Sequence, residues 1–413
     1  MKKIAIIGGG IAGLTAAFEL RDSDYEITIF EPKRLGGKVF TEKRDGLLIE
    51  HGPDAISGTH PVTEEIIKEL GLQDQVIQPF RSHFTYVIKR TCHQIPLNTL
   101  RPYPGSLRSI WSLPFISFRG KVSASLRPII TSRKPGKDQS LEEFLSKRYG
   151  SELGIKLLAP LYSGIYGGQP NEISASVLPK HRNILLKKAP FITFKDGMQT
   201  LVDALIKNVK HCKVIKEKVI SIVPEIRRLT VSTENYKESF NKVIIAVPSK
   251  EVTSILDDVN LEASYYLKKL KYGTSSVFTM VSKSGELSHL GTGAIYSERS
   301  DGITGLTISS IKWQGRTENN EILIRVFATG NPTVKNVKQK LRKVDPINSY
   351  HHLCTDTWNT VPIYTIDRKY NVSKAREFLE KSNIYLVGSG YDGAGIPDTI
   401  ASAKRIVEDI LDD

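Results

Sequence analysis

A chain of 413 residues is longer than one hydrophobic core usually supports, so two domains are expected. Its 40% hydrophobic and 25% charged residues describe an ordinary globular protein and exclude a disordered chain, and no stretch approaches the roughly 18 apolar residues of a membrane span. The net charge is +14, and the three separated cysteines, Cys92, Cys212 and Cys354, show no metal-ligand spacing, which predicts reduced thiols, no bound metal and a cytoplasmic setting.

Residues 4–7 form a short β-branched run of the kind found in buried parallel strands, beginning too early to leave room for a signal peptide. The run leads into Gly8-Gly9-Gly10-Ile11-Ala12-Gly13, then a helix over residues 14–20 and a second strand over 26–30 ending at Glu31. Each part has a mechanical role in holding a dinucleotide. Gly8 allows the tight turn, Gly10 lets a pyrophosphate approach the backbone, and Gly13 lets helix and strand pack closely. The helix N-terminus at Ile11 and Ala12 offers N–H groups and a positive dipole end to the phosphates. Glu31, followed by Pro32, stands 18 residues beyond Gly13, where a carboxylate accepts hydrogen bonds from a ribose diol.

Next come Gly36-Gly37-Lys38, a second glycine turn with a basic residue, and Glu50-His51-Gly52-Pro53-Asp54-Ala55, a third turn. A nicotinamide enzyme would instead continue its alternation of strands and helices. The succession resembles the flavin amine oxidase superfamily, in which the glycine pair and basic residue lie along the FAD diphosphate and ribityl chain. A helix is predicted over residues 62–70. Residues 75–137 then hold eleven basic and no acidic residues, against sums of −4 over residues 1–74 and +7 over 138–413. The window is also rich in aromatics and proline, as in Ile110-Trp111-Ser112-Leu113-Pro114-Phe115. Three readings stand: a solvated basic face, a surface docking on anionic lipid headgroups, and a funnel for an anionic substrate. No nucleic-acid recognition motif accompanies the charge, so nucleic acid is not an expected partner.

Helices are predicted over 140–160, with Asp138 or Ser140 as cap, and over 196–209. Residues 217–223 and 243–247 read as strands returning to the first domain. Residues 276–282, 304–311 and 321–328 alternate like strands of a separate mixed sheet. A strand over 384–387 precedes Gly388-Ser389-Gly390-Tyr391-Asp392-Gly393-Ala394-Gly395-Ile396-Pro397. This is formally a second fingerprint, but a single helix follows it and no strand completes a βαβ unit. Its better reading is a helix N-terminus facing a flavin ring and stabilising negative charge there, which leaves one dinucleotide. The expected fold is α/β: a discontinuous Rossmann-like FAD-binding domain from residues 1–76, 196–250 and 365–413, with a mixed α+β substrate domain from 77–195 and 251–364.

Further blocks make the resemblance more specific, among them Pro160-Leu161-Tyr162-Ser163-Gly164-Ile165-Tyr166-Gly167-Gly168, Gly197-Met198-Gln199-Thr200-Leu201-Val202 and Gly393-Ala394-Gly395-Ile396-Pro397-Asp398. With the N-terminal motifs they resemble the protoporphyrinogen oxidase family, of the bacterial type that includes coproporphyrinogen III oxidases. The resemblance implies oxidation of coproporphyrinogen III or protoporphyrinogen IX in haem biosynthesis, by hydride transfer to flavin N5 with oxygen as acceptor. It implies one FAD, non-covalent because no cysteine lies in the C-terminal glycine motif. The family's cofactor positions fall on Gly8, Gly9, Gly10, Ile11, Ala12, Gly13, Glu31, Pro32, Gly36, Gly37, Lys38, Gly52, Pro53, Asp54 and Ala55. Later ones fall on Val219, Trp358, Ala394, Gly395 and Ile396. Tyr364 would line the tetrapyrrole slot. His60 stands where relatives place a fixed cation thought to meet a propionate, and being mostly neutral at pH 7 it leaves that contact open.

No catalytic acid, base or nucleophile is assigned. The basic excess suits a substrate carrying propionates and repels a cationic amine. An amine oxidase or carotenoid desaturase on the same scaffold remains an alternative, as does a flavin-bearing protein with an altered site. Expected partners are the tetrapyrrole, molecular oxygen, an anionic membrane surface and other haem-pathway enzymes; the expected location is the cytoplasm, including the inner membrane face.

Overall fold

The computed structural model describes residues 2–80, 83–88, 91–96, 107–132, 134–178, 189–283, 287–319, 321–345 and 349–412. Strand β1 (Lys2–Ile7) lies at the centre of a five-stranded sheet. Its Ile4 and Ile6 enter one core and its Ala5 and Ile7 another. Burial on both faces is why this strand reads as a continuous apolar run. Helix α1 (Ile11–Glu19) and strand β2 (Tyr25–Phe30) follow. The sheet order is Lys213–Ile215, β2, β1, Lys242–Ile245, Ile384–Leu386, and every pairing is parallel. Stretches more than 350 residues apart in sequence thus join in one sheet.

The returning strand expected over 217–223 is replaced by two elements. Lys213–Ile215 supplies the edge of the parallel sheet, while Ser221–Glu225 opens an antiparallel meander with Arg228–Ser232 and Lys237–Phe240. Val219 is buried in the extended link before the meander rather than within a strand. A three-residue edge strand with exposed Val214 has no apolar run to announce it.

A seven-stranded mixed sheet forms the second half, in the order His351–Pro362, Tyr272–Ser282, Ile322–Thr329, Ile303–Ile308, Gly293–Tyr296, His83–Ile88, Thr91–Pro96. One neighbouring pair, Gly293–Tyr296 with His83–Ile88, is parallel. The three strands expected here are present, although the middle one ends at Ile308 and turns into a short helix, Ser309–Lys312. Over this sheet lies a long helical run: Leu141–Gly150 with Ser140 capping Glu143 N, a wide i→i+5 stretch Ser151–Leu158, and Ala159–Tyr166. It ends at Gly167 in the left-handed region (φ 69°), which glycine tolerates.

The last helix, Ile396–Asp412, packs Ile400, Ala403, Ile406 and Ile410 onto the core under α1. Lys404 on this helix meets Glu19, Glu65 and Glu69 at 3.1, 2.7 and 3.0 Å, tying α1 and the Pro61–Glu69 helix to the chain's final segment. Among the described residues, no helix is long and apolar enough to cross a membrane.

Candidate functional site

Three glycine turns stack at the C-terminal end of the parallel sheet. In the first, Gly8 takes φ +105° and donates to Phe30 O at 2.9 Å, fastening the turn to β2. A Cβ on Gly13 would stand 1.9 Å from Gly8 O, so helix and turn meet as only glycine permits. A Cβ on Gly10 would meet nothing within 4 Å: the space before the helix N-terminus is open. Helix α1 has no side-chain cap and no acidic residue in its first turn, so its dipole and its N–H groups at Ile11, Ala12 and Gly13 face that space. This is an anion cradle, and its open space and uncapped N–H groups fit a pyrophosphate.

Glu31 sits against the same turn, its Oε2 accepting from Gly9 N and its Oε1 from Lys33 N, both at 2.9 Å. The two bonds fix the carboxylate at the β2 end and leave it lone pairs for a diol. Exposed Pro32 follows. Gly36 N donates to Gly9 O at 2.8 Å, and a Cβ on Gly37 would be 3.1 Å from Gly10 Cα, so the second turn lies directly on the first. The third is as tight, since a Cβ on Gly52 would be 1.8 Å from Lys38 O. Lys38 reaches across to donate to Thr360 O at 2.7 Å, and burial pulls its ammonium down to about 8. Trp358, two residues before Thr360, donates its indole N–H to His51 O at 3.3 Å. Lys38, Gly52 and the Trp358 strand are thereby brought to one wall.

Asp54 makes its side-chain contacts to the mixed-sheet half. Its Oδ2 accepts from Lys312 Nζ at 2.9 Å and Trp313 Nε1 at 3.1 Å, and Arg325 lies 3.7 Å from Oδ1. Arg325, itself buried, also donates to Gly52 O. Burial alone pushes the Asp54 carboxyl up, but Lys312 and then Arg325 overcome it and hold the group well below the usual carboxylate range. Asp54 therefore fastens Gly52, Pro53 and Ala55 to the mixed sheet.

His60 caps the Pro61–Glu69 helix through Nδ1, which accepts from Val62 N at 3.3 Å, and its Nε2 is 3.9 Å from Asp398. A neighbouring carboxylate makes this an unfavourable place for a propionate. Tyr364 is buried, its hydroxyl donating to Ser389 O and its ring edge-on to Tyr166 at 6.5 Å. It joins the 163–168 segment to the C-terminal glycine turn rather than presenting a free hydroxyl. That turn packs on the first, a Cβ on Gly388 standing 2.8 Å from Ala12 Cβ. Asp398 accepts from Gly395 N at 3.1 Å, so the helix N-terminus beyond Ala394 and Ile396 already carries one carboxylate, which offsets part of the dipole expected to face the flavin.

Two features escaped the sequence. His51 Nδ1 is 2.9 Å from Asp356 and its Nε2 is 3.0 Å from Glu42, with Cys354 beside them. The His51, Cys354 and Asp356 ligand atoms lie within 4.8 Å of one another, a grouping that no spacing shows because His51 is some 300 residues from the other two. Both imidazole nitrogens already face carboxylates, so His51, just past the Leu47–Glu50 strand, ties the Thr41–Arg44 strand to the His351–Pro362 strand. The second feature is a cleft of about 560 Å³ in the mixed-sheet half, lined among others by Tyr86, His93, Phe115, Glu152, Lys156 and Pro160.

A parallel sheet whose first glycine turn leaves helix N–H groups facing open space, with two further glycine turns and a lysine along one wall, is the frame of a flavoprotein. The chain belongs to the flavin-containing amine oxidoreductase family, whose model matches residues 11–411. It is thus an oxidoreductase with a flavin cofactor. It is 29% identical to the coproporphyrinogen III oxidase of Bacillus subtilis (strain 168), with 99% of this chain and 98% of that one aligned. It is 25% identical to the enzyme of that name from Staphylococcus aureus, over 99% of both chains. A crystal structure from Exiguobacterium sp. 255-15, assigned as a protoporphyrinogen oxidase, superposes with a TM-score of 0.85 at 25% identity, covering 100% of this chain and 99% of the other.

Proposed function

We propose that the chain oxidises a porphyrinogen, coproporphyrinogen III first among the candidates, to the porphyrin in haem biosynthesis, with one non-covalent FAD and oxygen as acceptor. The observation that carries this reading is the end-to-end similarity to coproporphyrinogen III oxidases. The basic excess supports it, because net positive charge attracts propionates and repels the cations that amine oxidases take. When bound, the flavin supplies the hydride acceptor. The protein's share is to hold the diphosphate on Ile11, Ala12 and Gly13, the ribose on Glu31, and the tetrapyrrole flat against the ring. Purified protein incubated in air with coproporphyrinogen III and with protoporphyrinogen IX tests this. Porphyrin fluorescence rising faster than autoxidation supports it and picks the substrate. A yellow protein that turns over neither compound sinks it.

Lys38 belongs to the same reading. An anionic cofactor placed near its ammonium favours the charged form and raises its pKa from about 8. Cofactor binding then takes up a proton, so FAD affinity is full below pH 8 and falls as pH rises through it. The expected loss is about tenfold per unit of coupled shift. Titrating apoprotein with FAD from pH 7 to 9.5 measures this. A Lys38→Met variant should bind more weakly at pH 7 and show a flat profile over that range, and a flat wild-type profile would refute the assignment.

The basic window supports peripheral docking on an anionic membrane. Within it, Phe118, Ile129 and Ile130 on the Phe118–Ile130 helix are 71%, 77% and 82% exposed, and Leu126 is exposed too. Arg119, Lys121, Arg127 and Lys134 lie on the same stretch. Apolar side chains rimmed by cations are what an anionic bilayer surface takes up, at about 1 kcal/mol per basic residue near the surface. Co-sedimentation with phosphatidylglycerol vesicles, its loss in 0.5 M salt, and its absence with phosphatidylcholine vesicles are the expected results. Equal binding to both lipids would rule out the charge-driven mode.

A further inference from the structure

Arg299 lies at the junction between the cleft and the 163–168 segment. Its Nε donates to Tyr296 O at 3.1 Å, which fixes the base of the guanidinium beyond the Gly293–Tyr296 strand. Its two terminal nitrogens lie 3.7 and 3.8 Å from where a Cβ on Gly164 would be, so glycine there leaves the fork uncovered. The side chain is half-buried, and among the described residues no carboxylate forms an ion pair with it; the ionisable neighbour it acts on is Tyr86, which lines the cleft. A desolvated cation without a counter-ion is costly, and where it persists a ligand anion is the natural partner.

The Ala159–Tyr166 helix measures where that anion would come from. Pro160 lines the cleft, and Gly164 is four residues on, along the same helix face, under Arg299. Gly167 closes the helix, its Cβ position 3.3 Å from Val361 Cγ1, next to the Thr360 carbonyl that receives Lys38. At about 1.5 Å per residue, Gly164 is roughly one helical turn from the wall proposed to flank the flavin. That separation suits a macrocycle with its reacting carbon at the wall and a rim carboxylate one side chain away. Lys156 adds a second cation along the cleft. Glu152 keeps the cleft's other end anionic, held there by Ser117 N and Oγ at 2.7 Å each, which directs a carboxylate toward Arg299.

We propose that Arg299 binds a propionate of the tetrapyrrole and selects for the carboxylated substrate, through the paired N–H contacts that a guanidinium offers a carboxylate. This rests on the porphyrinogen reading given above. The test compares wild-type holoenzyme with Arg299→Gln and Arg299→Lys on coproporphyrinogen III and on its tetramethyl ester. Arg299→Gln should raise KM for the acid about 10- to 100-fold with kcat within a few-fold, and Arg299→Lys should recover part of the loss. On the ester the wild type and Arg299→Gln should agree, because the partner charge is gone, and that non-additivity marks a direct contact. Unchanged KM for the acid, or equal losses on acid and ester, overturns the assignment. A wild type that oxidises neither the acid nor protoporphyrinogen IX overturns the porphyrinogen reading and this inference with it, and shows that before any variant is made.

Discussion

A Gly13→Ala protein is expected to purify colourless and to lose stability, while a Gly10→Ala protein keeps its fold and loses only its flavin. The two glycines are three residues apart in one motif, and the structure gives them opposite roles. A methyl on Gly13 would sit 1.9 Å from the Gly8 carbonyl oxygen and 3.1 Å from its carbon, both backbone atoms held by the turn to β2. Nothing flexible can yield, so α1 must move off β1, and the cradle formed by its first turn opens. Overpacking of this kind costs about 1–3 kcal/mol or more, and the displaced N–H groups weaken FAD binding by at least about 100-fold. Gly10 has φ −73° and ψ −175°, which alanine adopts freely, and its methyl would project into open space. That space is where the pyrophosphate is proposed to lie, so the apoprotein should melt at the wild-type temperature and bind FAD poorly. Thermal melts of apoprotein together with FAD titrations separate the outcomes. A Gly10→Ala protein that binds FAD like the wild type would show that the cofactor does not approach this turn.

The contrast also marks how far the sequence could be read. The N-terminal strand, turn, helix and acid are local, and the residues that build them are the residues that announce them. The Thr41–Arg44 and Leu47–Glu50 hairpin is local too, its Asp45-Gly46 pair taking φ 51° and 73° as a tight two-residue turn requires. Other parts were hidden because their causes lie far along the chain. Lys38 was assigned to the cofactor from its place in a motif, but the Thr360 carbonyl that holds it is 322 residues away. The strands His83–Ile88 and Thr91–Pro96 were masked by the basic window, although Phe84 and Tyr86 point inward. The edge strand Lys213–Ile215 is too short and too polar to show a period. Arg299 carries no signal at all in sequence: an arginine becomes informative only when the fold is seen to give it a glycine and, among the described residues, no carboxylate ion pair.

Asp54 is the site residue to which the fold adds the most contacts, and its replacement has the second large expected effect. In Asp54→Asn the side chain keeps its size and loses its charge, leaving Lys312 and the fully buried Arg325 facing a neutral amide. Breaking a buried ion pair by removing one partner costs about 3–5 kcal/mol, because the remaining cations lose the carboxylate paired with them. The pH dependence has a definite sign. Asp54 is held below its ordinary value of 3.8, so its stabilising contribution is complete above that value and is lost as pH falls below it, because the unfolded chain then takes up a proton that the folded protein binds poorly. Urea unfolding at pH 7 should therefore show the full loss in Asp54→Asn, and the gap between variant and wild type should narrow steadily below about pH 4. Because Arg325 also holds Gly52 O, the variant should release the third glycine turn and bind FAD more weakly even where it is folded. A variant within 1 kcal/mol of wild type at pH 7 would mean that the three-way contact contributes little, and that Asp54 acts through the cofactor after all.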